Sequence, residues 1–294
     1  MKLKLIILFT LLINNFSFTQ TSKIIETLKI ESKILNSTRN FAVYLPPDYN
    51  TSIRSYPVLY LLHGYTDDHT GWIQFGEVKH ITDKAISEGK ATPMIIVMPD
   101  ADTKIPGYFN TIDNSWRYED FFFDELMPYV ENLYRIKKEK RYRAISGLSM
   151  GGGGTMVYAL HRPDLFTAAC PLSAWLGPLS IEELKKSLNN NKGILKVQSK
   201  KKYTENQLKM YYKKHNPLEL LNTVSKSKIN SVRWYIDCGD DDFLYEGNSL
   251  FHIKMKKLEL NHEFRIRDGA HNWTYWRNSL PKVLSFISDS FHQY

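Results

Sequence analysis

The segment Gly147-Leu148-Ser149-Met150-Gly151 places a serine between two glycines, each two positions away from it. A predicted short strand at 142–146 precedes the segment, and a predicted helix to about Leu160 follows it. A serine at such a strand–turn–helix junction projects its hydroxyl above the sheet, and the glycines keep side chains away from neighbouring backbone. We therefore predict that Ser149 is a nucleophile that forms a covalent acyl-enzyme.

The alternative for this segment is a glycine-rich helix start that contains an incidental serine. Four consecutive glycines, Gly151 to Gly154, argue against it, because each costs about 1 kcal/mol relative to alanine inside a helix. Close backbone packing or stabilisation of an anion would explain the run.

A nucleophilic serine needs a base and a group that orients the base. In this arrangement the acid and then the histidine follow the serine along the chain. Of the six histidines after Ser149, His271 follows a predicted strand at 262–267 through the turn Asp268-Gly269-Ala270. That position lies at the carboxyl edge of the sheet, where ligands bind in open α/β folds. We predict His271 as the base; the alternative is an exposed loop histidine.

The acid is expected after the preceding strand, where four carboxylates occur: Asp237, Asp240, Asp241 and Asp242. Asp237 falls within the predicted strand, and three consecutive carboxylates repel one another, so we expect a single one to turn inward. We favour Asp242, because Phe243 and Leu244 would anchor it to the core, with Asp241 as the second candidate. An alternative for the cluster is a surface cation site.

Two backbone N–H groups are needed to stabilise the oxyanion of the reaction. Met150 supplies one, and the loop Leu62-His63-Gly64-Tyr65, after an early predicted strand, supplies the other through Tyr65. We expect His63 to brace this loop by hydrogen bonding.

The elements that must hold these groups alternate between buried strands and helices. Strands are predicted at 39–44, 57–62, 94–98, 166–172 and 232–238, besides the two above, and helices at 77–88, 118–135, 246–258 and 277–291. This alternation predicts the α/β class, with a mostly parallel sheet covered by helices on both faces. We expect one domain over 20–294, with a helical insertion at about 176–225.

Four motifs together resemble the esterase D-like group of α/β-hydrolases: Leu61-Leu62-His63-Gly64, Gly147 to Gly152, Cys238 to Leu244, and Gly269-Ala270-His271-Asn272-Trp273. The resemblance runs from about residue 40 to 290 and implies the α/β-hydrolase fold. It also implies that the acid is Asp242, directly before Phe243. Tyr65-Thr66 stands where many relatives have further glycines, and Gly-Ala-His-Asn where many have Gly-Gly-His-Asp.

This group includes feruloyl esterases, acetylxylan esterases of carbohydrate esterase family one, S-formylglutathione hydrolases and mycolyltransferases. The resemblance implies a serine carboxylester hydrolase that removes acetyl or feruloyl groups from plant or algal polysaccharide, without a metal or organic cofactor. The alternatives are an acyltransferase with the same triad and a non-catalytic carbohydrate-binding relative. Four aromatic residues are candidates for substrate contact or for ordinary packing: Tyr108, Trp116, Trp175 and Trp276.

The N-terminus has the order of a secretory signal. Lys2 and Lys4 come first, the apolar stretch Leu5 to Ile13 follows, and small residues precede Gln20. The alternative is a buried first helix. We expect a signal over residues 1–19 and a secreted or periplasmic mature protein without a membrane span, since the apolar stretch is shorter than the ~18 residues that a span needs.

Charge and cysteine content limit the partners. The net charge of the chain is +8, and ten lysines stand against three glutamates between Ile181 and Lys214. We interpret this segment as a solvated lysine-rich surface; attraction to acidic polymers is the alternative, and no nucleic-acid-binding motif supports a DNA or RNA partner. Cys170 and Cys238 end strand-like runs, and whether they form a disulfide stays open here.

Overall fold

A single mixed sheet forms the centre of the computed structural model, which describes residues 21–102, 107–189 and 202–292. Within these ranges eight strands lie in the order β1-β2-β4-β3-β5-β6-β7-β8. The strands β3 to β8 pair in parallel, whereas β2 is antiparallel to both β1 and β4. Their bounds are β1 Lys23–Ser32, β2 Ser37–Leu45, β3 Val58–Leu62, β4 Ile95–Pro99, β5 Arg143–Leu148, β6 Ala168–Leu172, β7 Arg233–Gly239 and β8 Glu263–Arg267.

Helices connect the strands. Their bounds are α1 Gly71–Gln74, α2 Val78–Ser87, α3 Tyr118–Phe121, α4 Met127–Leu133, α5 Met150–His161, α6 Ile181–Asn189, α7 Glu205–His215, α8 Pro217–Thr223, α9 Lys226–Asn230, α10 Tyr245–Lys257 and α11 Trp273–His292, with a π-helical turn Phe122–Leu126 joining α3 to α4. Among the described residues, none of the helices combines the length and apolar character that a membrane crossing requires.

Each face of the sheet packs against its own set of helices. Along β3, Val58, Tyr60 and Leu62 face one apolar cluster, which includes residues of α4, α5, α8 and α10. Leu59 and Leu61 face the other cluster, formed with α2 and α11. This two-residue alternation is what a strand buried on both faces requires. The predicted α/β class, with helices on both faces, is confirmed.

The helix predicted at 277–291 begins earlier, at Trp273. The Asn272 side chain accepts a hydrogen bond from the N–H of Tyr275 at 3.0 Å and thereby acts as an N-cap. Asn272, which stands where many relatives have aspartate, therefore still caps the helix that begins directly after it.

The predicted insertion contains α6, α7 and α8, and residues 190–201 within it lie outside the described residues, as does the predicted signal at 1–19. The end of α7 packs against the body of the protein through two histidines. His161 holds the carboxylate of Glu119 with Nδ1 at 2.5 Å and the carbonyl of Lys214 with Nε2 at 2.7 Å. Because both partners are acceptors, His161 carries both protons; burial opposes this charge, but the Glu119 carboxylate outweighs it and raises the pKa of His161. His215 is half-buried beside this pair, with its Nε2 4.0 Å from Oε2 of Glu119.

Cys170 and Cys238 are buried free thiols. The pairing of Leu172 with Asp237 in the parallel register places Cys170 opposite Tyr235, three residues from Cys238. With about 3.3 Å per residue along the strand and about 4.8 Å between strands, their Cα atoms lie about 11 Å apart, beyond the reach of a disulfide.

Candidate active site

Ser149 is the single residue between β5 and α5, and its backbone has a φ of +55°. Its carbonyl accepts hydrogen bonds from the N–H groups of Gly153 and Trp175, at 3.0 and 2.9 Å. A Cβ at Gly147 would lie 2.6 Å from the carbonyl oxygen of Gly151, and one at Gly151 would lie 2.6 Å from that of His63. The two glycines are therefore needed for the steric reason predicted from the G-x-S-x-G spacing.

The remaining glycines of the run are also closely packed, Gly152 and Gly153 against backbone and Gly154 against the side chain of Tyr108. A Cβ at Gly152 would meet the Leu172 carbonyl oxygen at 2.7 Å, and one at Gly153 would meet that of Trp175 at 2.0 Å. The first turn of α5 thus packs directly on the ends of β3 and β6. This close packing explains the glycine run, which an incidental glycine-rich helix start does not.

Three side chains predicted to act together lie within hydrogen-bonding distance of one another. Ser149 Oγ is 2.9 Å from His271 Nε2, and His271 Nδ1 is 2.8 Å from Oδ2 and 3.0 Å from Oδ1 of Asp242. An ionised carboxylate only accepts hydrogen bonds, so Nδ1 of His271 carries a proton. In the neutral ring, Nε2 is then free to accept the proton of the serine.

Asp242 is buried and ionised. Burial alone would raise the pKa of its carboxyl, but hydrogen bonds from His271, from the N–H of Leu244 and from the Ser173 hydroxyl outweigh it and hold the pKa below its usual value. Asp241, the second candidate, is exposed, and its side chain does not share the His271 contact.

The expected reason for this choice is wrong in one respect. Phe243 does not anchor Asp242 to the core, because 72% of its surface is exposed. Its ring lies against the imidazole of His271 instead, with 4.5 Å between ring centroids. The N–H of Leu244, 2.8 Å from Asp242 Oδ1, holds the carboxylate in place.

The two predicted oxyanion donors come from two segments that adjoin the serine. Met150 is the first residue of α5, so its N–H precedes the first intrahelical hydrogen bond and remains available. The loop that carries Tyr65 approaches from β3, and a Cβ at Gly64 would lie 3.6 Å from that of Ser149. A start of a helix and a nearby loop amide are the groups that stabilise developing negative charge.

His63 braces this loop, as expected. Its Nε2 accepts a hydrogen bond from the Ala101 N–H at 2.9 Å, so its Nδ1 carries the proton and donates to the Gly64 carbonyl at 2.7 Å. Burial lowers the pKa of His63, which favours this neutral form. The hydroxyl of Tyr108 accepts a hydrogen bond from the backbone N–H of His63 at 2.8 Å.

The aromatic candidates divide into two groups. Tyr108 is fully buried and Trp276 is 5% exposed, with its indole N–H donating to Ser173 Oγ at 3.0 Å. These two therefore fit the packing alternative. Trp175 is half-buried and lines an apolar cavity of about 30 Å³ with residues of the insertion. Trp116 is half-buried, and the guanidinium of Arg39 lies 5.5 Å from its ring centroid.

Carboxylates outside the triad have other positions. Asp237 is buried and accepts hydrogen bonds from the hydroxyls of Tyr235 and Tyr275 and from the guanidinium of Arg267. Three exposed carboxylates have oxygens within 4.8 Å of one another and could hold a cation: Asp240, Asp241 and Asp268.

Two residues beside the triad are not predicted from the sequence: Phe243, whose ring lies against His271, and Ser173, whose hydroxyl helps to lower the pKa of Asp242. The sequence contains one indication for Phe243, because a residue that directly follows the acid must lie near the triad. Ser173 carried none, because its partners come from distant parts of the chain.

The fold and this site define the chain as an α/β-hydrolase. The chain belongs to the esterase family, since it matches the family described as "Putative esterase" over residues 32–287. A solved structure of a ferulic acid esterase is 34% identical, with a TM-score of 0.79 over 92% of this chain and 99% of that one.

Two curated relatives carry esterase names. An endo-1,4-beta-xylanase/feruloyl esterase from Xylanibacter ruminicola is 37% identical over 130 residues, which are 42% of this chain and 18% of that protein. An acetyl esterase from Caldicellulosiruptor saccharolyticus is 21% identical over 264 residues, 87% of this chain and 95% of that protein. The chain spans between 18% and 29% of the length of the first curated relatives that it matches.

Proposed function

We propose that this esterase is an exported serine carboxylester hydrolase that removes acetyl or feruloyl groups from plant or algal polysaccharide. The observation that carries the mechanism is the continuous chain of contacts from Ser149 Oγ through the His271 ring to the Asp242 carboxylate, at 2.9 and 2.8 Å. These are the contacts that a Ser-His-Asp mechanism requires.

In the first half of the reaction, Ser149 Oγ attacks the ester carbonyl while His271 Nε2 accepts its proton. The carbonyl oxygen takes the negative charge, and the N–H groups of Met150 and Tyr65 stabilise it. Asp242 holds the ring in the tautomer that accepts at Nε2 and stabilises the imidazolium. The carbon–oxygen bond of the ester then breaks, the alcohol leaves with the proton from His271, and the acyl group stays on Ser149.

In the second half, a water molecule gives a proton to His271 Nε2 and attacks the acyl carbonyl. The same amides stabilise the second oxyanion. Ser149 leaves with the proton of His271, and the free acid is released. The reaction consumes one ester and one water and yields one alcohol and one acid.

The substrate class rests on the relatives. The names ferulic acid esterase and acetyl esterase support feruloyl and acetyl esters as substrates, and the name endo-1,4-beta-xylanase/feruloyl esterase supports a polysaccharide as the acylated molecule. The order of charged, apolar and small residues at the N-terminus supports export, and a mature chain beginning at Gln20 is the expected product. Intact-mass measurement of the protein purified from its source tests the export, and a retained N-terminus contradicts it.

The substitution Ser149→Ala tests the mechanism. We expect it to abolish hydrolysis of a small aryl acetate, because the proposed acyl-enzyme forms on the Ser149 hydroxyl, and to leave the circular dichroism spectrum unchanged. Ser87→Ala, an exposed serine of α2, is the matched control and keeps full activity. Turnover by the Ser149 variant at the wild-type rate refutes the mechanism.

A panel of acetyl, feruloyl and longer acyl esters tests the substrate class through kcat/KM. We expect acetyl or feruloyl esters to be preferred over longer aliphatic ones. The same reactions run with and without a sugar acceptor separate hydrolysis from acyl transfer. Preference for a long aliphatic chain, or an acylated acceptor as the main product, contradicts the proposal.

A further inference from the structure

Ser173 has an unusual backbone for its surroundings. It directly follows β6, has a φ of +44° and is completely buried. Of the described non-glycine residues with positive φ, it alone is fully buried. Glycine adopts this conformation without strain, so a serine in it indicates that the side chain serves a purpose.

The backbone of Ser173 connects the end of β6 to β7, the strand that precedes Asp242, through a hydrogen bond. Its N–H donates to the carbonyl of Asp237 in β7 at 2.7 Å. The next residue, Ala174, exchanges hydrogen bonds with the buried side chain of Asn248 in α10, at 3.2 and 3.0 Å. Ser173 thus has a fixed position next to the loop that carries Asp242.

The partners of the hydroxyl determine where its proton points. Trp276 Nε1–H is only a donor, so Ser173 Oγ accepts from it at 3.0 Å and keeps its own proton to donate. On its other side the hydroxyl helps to lower the pKa of the Asp242 carboxyl and opposes the burial that raises the pKa of the Cys238 thiol, so these two groups are the candidate acceptors of its proton. A carboxylate is a much stronger acceptor than a thiol, which favours Asp242.

Trp276 also contacts the base. Its ring stands perpendicular to the imidazole of His271, at 88°, with 4.9 Å between centroids. One side chain therefore packs against His271 and, through Ser173, reaches Asp242. The two ends of the acid–base pair are held by the same indole.

We propose that Ser173 and Trp276 are positioning residues of the triad: the Ser173 hydroxyl accepts from the Trp276 N–H and donates to Asp242, which keeps the carboxylate aligned with His271. This proposal rests on the proposed function, since it assigns both residues to the Ser149–His271–Asp242 reaction.

The test compares Ser173→Gly and Ser173→Ala with the wild-type protein in aryl acetate hydrolysis. Both variants lose the hydroxyl, but only glycine relieves the positive φ, so the pair separates the hydrogen bond from the backbone strain. We expect kcat to fall about tenfold in both, with KM within twofold of wild type, as for the loss of one hydrogen bond to a charged group. The glycine variant should melt at a higher temperature than the alanine variant, because both leave the Trp276 N–H without its acceptor and only alanine keeps the strained φ.

The pH profile provides a readout that a structural role would not change. Without the Ser173 donor, the carboxylate attracts the proton on His271 more strongly, so the acid-side pKa of kcat/KM shifts upward. Trp276→Phe keeps an aromatic ring and removes the N–H, and should lower kcat in the same direction. Ser288→Ala, a buried serine of α11 that hydrogen-bonds the Leu284 carbonyl, is the matched control.

The outcomes are distinct. Wild-type kcat and an unchanged pH profile in Ser173→Gly overturn the proposal, and so does a loss of kcat that appears in the alanine variant alone. If Ser149→Ala retains activity in the same assay, the proposed function itself fails. If Ser149→Ala is inactive and Ser173→Gly is fully active, only the positioning role fails.

Discussion

Replacing Asp242 by asparagine removes one charge from the site while keeping the shape of the side chain. His271 Nδ1 donates to both carboxylate oxygens, at 2.8 and 3.0 Å, and an amide offers an N–H in place of one of them. The ring then favours the tautomer protonated at Nε2, which cannot accept the proton of Ser149. For a carboxylate-to-amide change in such a triad we expect kcat to fall about 10³- to 10⁴-fold, or about 4–5 kcal/mol of transition-state stabilisation.

The assay is hydrolysis of a small aryl acetate, with kcat and KM determined separately across the pH range. KM should change little, because the carboxylate does not contact the substrate in the proposed mechanism. Asp241→Asn is the matched control: its side chain is exposed, and it should retain activity within about twofold. A large loss at Asp241 with normal activity at Asp242 would refute the reasoning.

Two further predictions concern the stability of the fold. Gly151→Ala places a Cβ 2.6 Å from the His63 carbonyl oxygen and should lower the free energy of unfolding by about 1–3 kcal/mol in urea titrations. The control Gly247→Ala, whose new Cβ would have its nearest neighbour at 3.5 Å, should be neutral or stabilising. Equal stability of the two variants would contradict the steric argument. Burial lowers the pKa of His215 to about 4 from its usual 6.5, so as pH falls from 6.5 to 4 the unfolded chain takes up a proton that the native state does not. His215 itself should contribute a loss of about 3 kcal/mol over this window, so the difference in stability between His215→Gln and the wild-type protein should change by that amount. Thermal denaturation of both proteins at several pH values measures it, and a difference that does not vary with pH rejects the assignment.

The class and the neighbourhood of the three triad residues could be predicted because they depend on chain order. The carboxyl ends of parallel strands meet at one edge of the sheet, so residues that directly follow β5, β7 and β8 must lie near one another. Ser149, Asp242 and His271 follow those strands and do lie together. Their catalytic roles remain the prediction that the substitutions above test.

What the sequence did not reveal depends on contacts between distant segments. Trp276 meets Ser173 across 103 residues, and the contact arises only because α11 returns to the end of β6. Phe243 was expected to point into the core because it is large and apolar, but the turn that buries Asp242 leaves the next side chain outside. A pattern of residue types does not specify which of two neighbours a turn buries.

Phe243 leaves most of its ring in water directly beside the imidazole of His271. A molecule that covers this ring releases the hydrating water, which contributes about 2 kcal/mol to its binding if the burial is complete. The departure of that water also lowers the local dielectric around the His271–Asp242 pair, where the attraction between charges then increases. The exclusion of water from the His271–Asp242 pair is therefore completed only when a molecule binds in the site and covers Phe243.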